Sequence, residues 1–241
     1  MARTTTKEAL GSQVLGLREQ NKLDKLRRIK DAARELFITK GFDDTTTREI
    51  AQRASVGIGT LFIYADNKRD LLFLVANDEL EQATMRAQAS IRDDASLLQN
   101  LLTIFRQHYG FFSAQPELSR MMLREMIFYD TGRQAERFRL TRESVIRLVG
   151  QVVEMAAGGG TVKSKEPPGF IGWVAFCIYQ VELRRWLASK DSNLTTAMDD
   201  LRRSLELFIR GLSPAESALK MSAADGKKLQ RKSERRQGRK T

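Results

Sequence analysis

Apolar residues recur at three- and four-residue intervals along most of the chain. Leu23, Leu26, Ile29, Ala33, Leu36 and Phe37 share one helical face, with Lys22, Lys25, Arg28 and Lys30 on the other, and Gly41 suits the position just past a helix end. Asn67 is a fitting cap for a helix starting at Lys68 and running to about Ile91, with Asp70 in its first turn. Asp94 or Ser96 caps a helix whose apolar face is Leu97, Leu98, Leu101, Leu102, Phe105, Tyr109 and Phe112. Pro116 begins another, through Met121, Met122, Met126 and Phe128. A long helix from about Arg133 to Ala157 keeps Phe138, Val145, Leu148, Val149, Val152 and Met155 together, and Gly158-Gly159-Gly160 ends it. Gly169 to Ser189 is apolar all round in its first three turns, so it needs partners on two sides. Leu201, Leu205, Phe208, Ile209 and Leu212 mark a last helix, ended at Gly211. No Asn-Gly or Asp-Gly hairpin and no sustained period-two run occurs, so the expected class is all-α.

The stretch Thr45 to Lys68 sets the function. Thr46 and Glu49 form a Thr-x-x-Glu capping box that starts a helix at Thr47. Ile50, Ala51 and Ala54 give it a small apolar face, and Ser55-Val56-Gly57 breaks it. A second short helix fits Ile58 to Tyr64. Two short helices around a glycine-containing turn form a helix-turn-helix pattern, whose second helix enters the major groove. The spacing alone also suits two core helices, so the residue identities decide. Thr46-Thr47-Arg48-Glu49-Ile50-Ala51, Ala54-Ser55-Val56, Gly59-Thr60-Leu61-Phe62-Ile63-Tyr64 and Asn67-Lys68-Arg69-Asp70-Leu71-Leu72 together resemble the tetracycline-repressor (TetR/AcrR) family. The likeness runs over about residues 22 to 75.

That resemblance implies a DNA-binding regulator. It implies that Tyr64 and Lys68 hold phosphates, that the helix from Lys68 carries a signal between ligand and DNA, and that the larger domain has a ligand cavity. The expected DNA-contacting set is Thr46, Thr47, Arg48, Ile58, Gly59, Thr60, Phe62, Ile63, Tyr64 and Lys68. The chain departs from the family pattern at Gly57, Ile58 and Ile63, where polar residues are common. Between Gly57 and Tyr64 it carries no Arg, Asn or Gln. The remaining chemistry is apolar contact with thymine methyls and the Thr60 hydroxyl, with Arg48 suited to guanine.

Charge refines this division. The net charge is +11. Residues 1–70 carry 14 Lys and Arg against 10 Asp and Glu, residues 71–219 carry 18 against 18, and residues 220–241 carry 9 against 2. A neutral middle between basic ends places polyanion contact at the ends. The expected organisation is a flexible arm (1–21), a helix-turn-helix domain (22–67), an effector-binding and dimerisation domain (68–213) and a disordered basic tail (214–241). Arg3, Lys7 and Arg18 in the arm, and Lys227, Lys228, Arg231, Lys232, Arg235 and Arg236 in the tail, are candidates for extra DNA contact.

The single cysteine, Cys177, fits a reducing compartment, and the N-terminus lacks the apolar core of a signal peptide. The uncharged run Pro167–Val181 is too short to span a bilayer. The expected location is cytoplasmic, without membrane contact. His108 and Cys177 stand alone, and no phosphate-cradling loop or catalytic triad spacing is present, so no metal, cofactor or catalytic residue is expected. The reading is a repressor that binds a palindromic operator as a homodimer. Its interface includes Ile171, Val174, Ile178, Leu205 and Phe208, and a small, largely apolar effector binds among Phe105, Tyr109, Phe112, Met122, Met126 and Trp173. The alternatives are a helical enzyme or carrier with an incidental N-terminal fold, and a non-specific architectural DNA binder.

Overall fold

The computed structural model describes residues 16–189 and 193–212, and every regular element among them is an α-helix. In order these are α1 (Leu17–Lys40), α2 (Thr47–Arg53), α3 (Ile58–Leu61), α4 (Lys68–Ala89), α5 (Leu97–Ala114), α6 (Pro116–Glu125), α7 (Ala135–Gly158), α8 (Pro168–Ala188) and α9 (Leu194–Gly211). The expected tail, 214–241, and most of the expected arm lie outside the described residues.

Helix starts follow local chemistry. Thr46 accepts from the Glu49 amide while the Glu49 carboxylate accepts from the Thr46 amide, and Ser96 and Gln99 repeat the arrangement before α5. Asn67 caps α4 through the Asp70 amide, and Asn193 caps α9. Three boundaries differ from expectation, the first being that of α3, which ends at Leu61 and not at Tyr64. Helix α1 begins at Leu17, inside the stretch read as an arm, because residues 16–23 are all exposed and leave no apolar period to read. Helix α6 stops at Glu125, so Phe128, expected on its buried face, lies beyond its end and is 82% exposed.

Helices α1 to α3 form a small unit around Ile29, Ala33, Phe37, Ile50, Leu61 and Ala65. Helix α4 is its bridge to the rest. Seven consecutive residues, Leu71 to Asn77, are buried, because α1, α5, α6 and α7 surround its first turns. Ion pairs Lys30–Asp78 and Arg34–Glu79 fasten α1 to α4 on the outer side. In the larger domain α7 and α8 cross at a pair of glycines, Gly150 and Gly172, with no side chain between the two backbones. Among the described residues no helix is long and apolar enough to cross a membrane.

Candidate nucleic-acid interface and ligand cavity

The short helix α3 is held by one fully buried anchor, Leu61, with Ala65 behind it. Its hydrogen bonds continue past Leu61, from the Phe62 amide to Ile58 O, the Tyr64 amide to Leu61 O and the Ala65 amide to Leu61 O, so the helical path reaches Ala65. The opposite side faces solvent with Ile58, Gly59, Phe62 and Ile63, and Thr60 is half-buried. Ile58, Phe62 and Ile63 thus form an exposed apolar tip.

The turn before α3 needs Ser55 at φ 52°, a left-handed conformation for a residue with a side chain. Arg28 of α1 braces it, donating from Nη1 to Ala54 O at 2.7 Å and Ser55 O at 3.2 Å. Periodicity placed Arg28 on a solvated face; its partners are 26 and 27 residues away in sequence, beyond any local signal. Arg53 pairs with Glu35 and closes the other side.

Arg48 is exposed at the start of α2 and has no ion-pair partner among the described residues. Thr46 is committed to the capping box, and Thr47 is half-buried. The Glu49 carboxyl is held down at about 2 by the Lys40 ammonium and then by the Thr46 amide and hydroxyl. Tyr64 donates its hydroxyl to Lys22 O at 3.2 Å. Lys68 donates to Asp43 O at 2.8 Å and lies over the Phe42 ring. Both residues matched to phosphate positions are therefore engaged within the chain, beside the same surface. Asp43 in turn takes a two-pronged Arg124 guanidinium, at 2.9 Å for each contact, which lowers the Asp43 carboxyl pKa and ties the α1–α2 loop to the end of α6.

In the larger domain a small apolar cavity of about 40 Å³ lies between α4, α5, α7 and α8. Phe112 and Met126 line it, as expected from the sequence. Leu80, Phe138, Val145, Phe176 and Tyr179 complete the apolar wall, and His108, Thr141, Arg142 and Gln180 supply the polar groups. Arg142 and Phe138 also border a second pocket of about 100 Å³ with Tyr129, Asp130 and Glu136. Arg142 has no ion-pair partner among the described residues, whereas its neighbour Arg139 is shared by Glu136 and Glu143. The other expected pocket residues sit elsewhere. Phe105 is stacked behind Tyr179 with ring centres 4.6 Å apart. Tyr109 stacks on Trp186, and its buried hydroxyl has no hydrogen-bond partner among the described residues. Met122 faces a separate crevice toward α1.

Trp173 is the clear correction. It stacks on Phe170 on the outer side of α8 and is 49% exposed. Of the residues expected at an interface, Ile171 and Leu205 are buried within the chain, and Val174, Ile178 and Phe208 are half-buried. The exposed large apolar residues of these two helices are Phe170, Trp173 and Val181 on α8 and Leu207 on α9. A helix that is apolar all round carries no internal sign of which side meets its own domain.

His108 is buried, with Nδ1 3.1 Å from Ile104 O and Nε2 3.2 Å from the Thr84 hydroxyl. A carbonyl only accepts, so Nδ1 carries the proton, while the Thr84 hydroxyl has one proton for which Leu80 O, at 2.9 Å, and His108 Nε2 compete. Loss of hydration pushes the imidazole pKa down to about 4, and the nearby Arg86 charge adds to this.

Residues 29–75 match the family model for bacterial regulatory proteins of the tetR family. The chain is a TetR-family transcriptional regulator. Membership in a family of transcription regulators sets aside the enzyme alternative. The regulator is 26% identical over 100 residues to the fatty acid metabolism regulator protein of Bacillus subtilis (strain 168), an alignment spanning 42% of this chain and 52% of that one. It is 24% identical over 217 residues to the HTH-type transcriptional repressor KstR of Mycolicibacterium smegmatis, covering 90% of this chain and all of that one. In fold it is similar to Thermus thermophilus FadR, a TetR-family transcriptional repressor whose crystal structure holds lauroyl-CoA, with a TM-score of 0.62, 22% identity and coverage of 82% and 98% of the two chains.

Proposed function

We propose that the regulator is a homodimeric repressor that reads a two-fold symmetric operator with α3 and releases it when an apolar-tailed effector fills the domain above. The observation that carries this reading is the solvent-facing tip Ile58, Phe62 and Ile63, together with the exposed Arg48 of α2, which has no ion-pair partner among the described residues. A tip of aliphatic and aromatic groups contacts thymine methyls, and an exposed guanidinium suits guanine O6 and N7. The operator half-site is then rich in A·T pairs with a G facing Arg48. Selection of binding sites from random DNA tests this directly. Arg48→Ala should cost about 1–3 kcal/mol per half-site and relax the preference at that base, while Lys68→Ala should weaken all sequences alike. Recovery of G·C-rich half-sites, or an unchanged base preference in the Arg48→Ala protein, counts against the assignment.

One reading helix covers only a few base pairs, so useful affinity needs a second copy. The exposed side of α8 and α9, with Phe170, Trp173, Val181 and Leu207, supplies an apolar surface for it. Sedimentation at micromolar concentration should give a dimer, and Trp173→Glu with Leu207→Glu should give a monomer. A wild-type species of 27.4 kDa would defeat this proposal.

The effector is proposed to be an acyl thioester of coenzyme A. The apolar cavity takes the acyl chain, and the adjoining pocket bordered by Arg142 takes an anionic head. The Thermus FadR complex with lauroyl-CoA supports this choice. At 40 Å³ the cavity has room for about one water, so an acyl chain enters only when side chains such as Phe138, Phe176 and Met126 turn aside. Binding therefore requires a conformation with a wider cavity, which the ligand selects. Lauroyl-CoA should raise the melting temperature and weaken operator binding together, and Arg142→Ala should reduce both effects. Operator affinity unchanged by saturating lauroyl-CoA would remove this effector.

A further inference from the structure

The end of the reading helix and the rim of the cavity meet on one buried carboxylate. Asp70, in the first turn of α4, is fully buried. Its Oδ2 accepts from the Asp66 amide at 2.8 Å, in the loop leaving the reading helix, and from the Arg133 amide at 2.9 Å. Its Oδ1 accepts from the Gln134 amide at 2.8 Å and from the Tyr129 hydroxyl. One carboxylate thus joins the segment after α3 to the loop between α6 and α7. That loop comes so close that a Cβ at Gly132, whose φ is +120°, would stand 2.6 Å from Asp70 Oδ1.

Gln134 makes a second link. Its Nε2 donates to Tyr64 O at 3.1 Å, near the end of the helical path that carries the reading face. Its Oε1 and backbone carbonyl both lie within reach of the buried Asn77 Nδ2, at 3.3 and 3.2 Å. On the other side, the Tyr129 ring stacks on Phe73 at 3.9 Å and lies 5.9 Å from Phe138. Phe138 is a wall of the apolar cavity, and Met126, another wall, is three residues before Tyr129. The Tyr129 phenol is pushed far above its usual range, by burial first and by the Asp70 hydrogen bond next, so it stays a donor to that carboxylate.

We propose that Tyr129 and Gln134, acting on Asp70 and on Tyr64 O, are positioning residues that set the reading helix according to whether the cavity is filled. Filling the cavity displaces Phe138 and Met126. The Tyr129 ring is stacked on Phe73 and lies 5.9 Å from Phe138, so a shift of Phe138 is passed to it through that aromatic cluster. The loop it belongs to then withdraws Gln134 from the Tyr64 carbonyl and the Tyr129 hydroxyl from Asp70, the carboxylate that holds the Asp66 amide. Packed interiors shift between discrete arrangements rather than deforming smoothly, which lets a side-chain movement at the wall become a helix movement at the tip. The proposal extends the effector-controlled reading above, but it does not depend on the identity of the effector.

The test therefore fills the cavity from within the chain. Val145→Phe places a ring in the cavity wall, and it is combined separately with Tyr129→Phe and Gln134→Met. Tyr129→Phe leaves Asp70 its three amide donors, and Gln134→Met keeps the shape of the side chain. Two quantities are measured in the full chain: affinity for the selected operator, and amide hydrogen exchange at Asp66, Arg133 and Gln134. Val145→Phe alone should weaken operator binding about tenfold and speed exchange at all three amides, and in the Gln134→Met and Tyr129→Phe backgrounds the same change should cost less than about threefold. Equal weakening by Val145→Phe in all three backgrounds would overturn the proposal, because the signal would bypass both residues. Unchanged exchange in a folded Val145→Phe protein would overturn it as well. If Val145→Phe does not fold, Thr141→Leu at the cavity rim carries the same comparison. Failure of lauroyl-CoA to bind, with exchange still responding to Val145→Phe, would sink the effector assignment and leave the relay standing.

Discussion

Gly172→Ala should lower the stability of the regulator by about 3 kcal/mol, the upper end of what overpacking in a core usually costs. A Cβ at Gly172 would lie 2.7 Å from Gly150 N and 2.8 Å from its Cα. Both atoms are backbone, so no side chain can turn away, and α7 and α8 must separate. The neighbouring exchange, Gly150→Ala, is the control, because its Cβ would meet Gly169 Cα only at 3.5 Å, an ordinary contact. Denaturant midpoints at one fixed protein concentration would compare the two, with unchanged slopes showing that stability alone has moved. Equal tolerance of both substitutions would mean that the crossing is looser than described. The consequence reaches the cavity, because Thr141 and Val145 line it from α7 and Phe176 and Tyr179 from α8. The close crossing sets how little room remains between them.

Acidification should destabilise the regulator in a window set by its one histidine. The imidazole of His108 has its folded pKa lowered to about 4 from an ordinary 6.5, chiefly by burial. Below pH 6.5 the unfolded chain takes up a proton that the folded chain refuses. Stability is therefore full above pH 6.5 and declines as pH falls toward 4, by about 3 kcal/mol across the whole interval. Below pH 4 the folded form also protonates and this loss stops growing. Carboxylates add their own effects at the acid end, and Glu49, held at about 2, loses its contacts to Lys40 and Thr46 only there. The upper part of the window, from 6.5 to about 4.5, belongs to His108 because the chain has no other histidine. Urea titrations every half pH unit should show the slope, and His108→Gln should flatten it. A flat wild-type curve between pH 6.5 and 4.5 would contradict the burial of a neutral imidazole.

The helical architecture and the reading motif were legible in the sequence because both rest on short-range chemistry. The Thr46–Glu49 box, the Asn67 cap and the Pro116 start involve residues within a turn of one another, and each begins a helix where expected, while of the two caps open for α5, Asp94 and Ser96, the structure uses Ser96. The apolar period likewise predicted which face of α5 is buried, from Leu97 to Phe112. The first turns of α1 escaped because residues 16–23 touch no core, and a helix with no buried face leaves no period in its sequence.

Assignments that depended on which element lies opposite were decided only in three dimensions. The same all-apolar stretch of α8 placed Ile171 inside the protomer and Trp173 outside, because a helix pattern records that two faces are apolar and not what each one meets. The cavity draws Phe138, Thr141, Arg142 and Val145 from α7 and Phe176, Tyr179 and Gln180 from α8, which no spacing within α5 and α6 could announce. Arg28 and Asp70 show the same limit for polar groups. Each reads locally as an ordinary surface or first-turn residue, and each finds partners 26 to 64 positions away. Sequence by itself determined the helices, their caps and the DNA-reading motif, since these are set by hydrogen bonds and periods spanning a few residues. Tertiary structure decided the cavity, the outward face and the Asp70 junction, since each exists only where chain segments distant in sequence exclude water together.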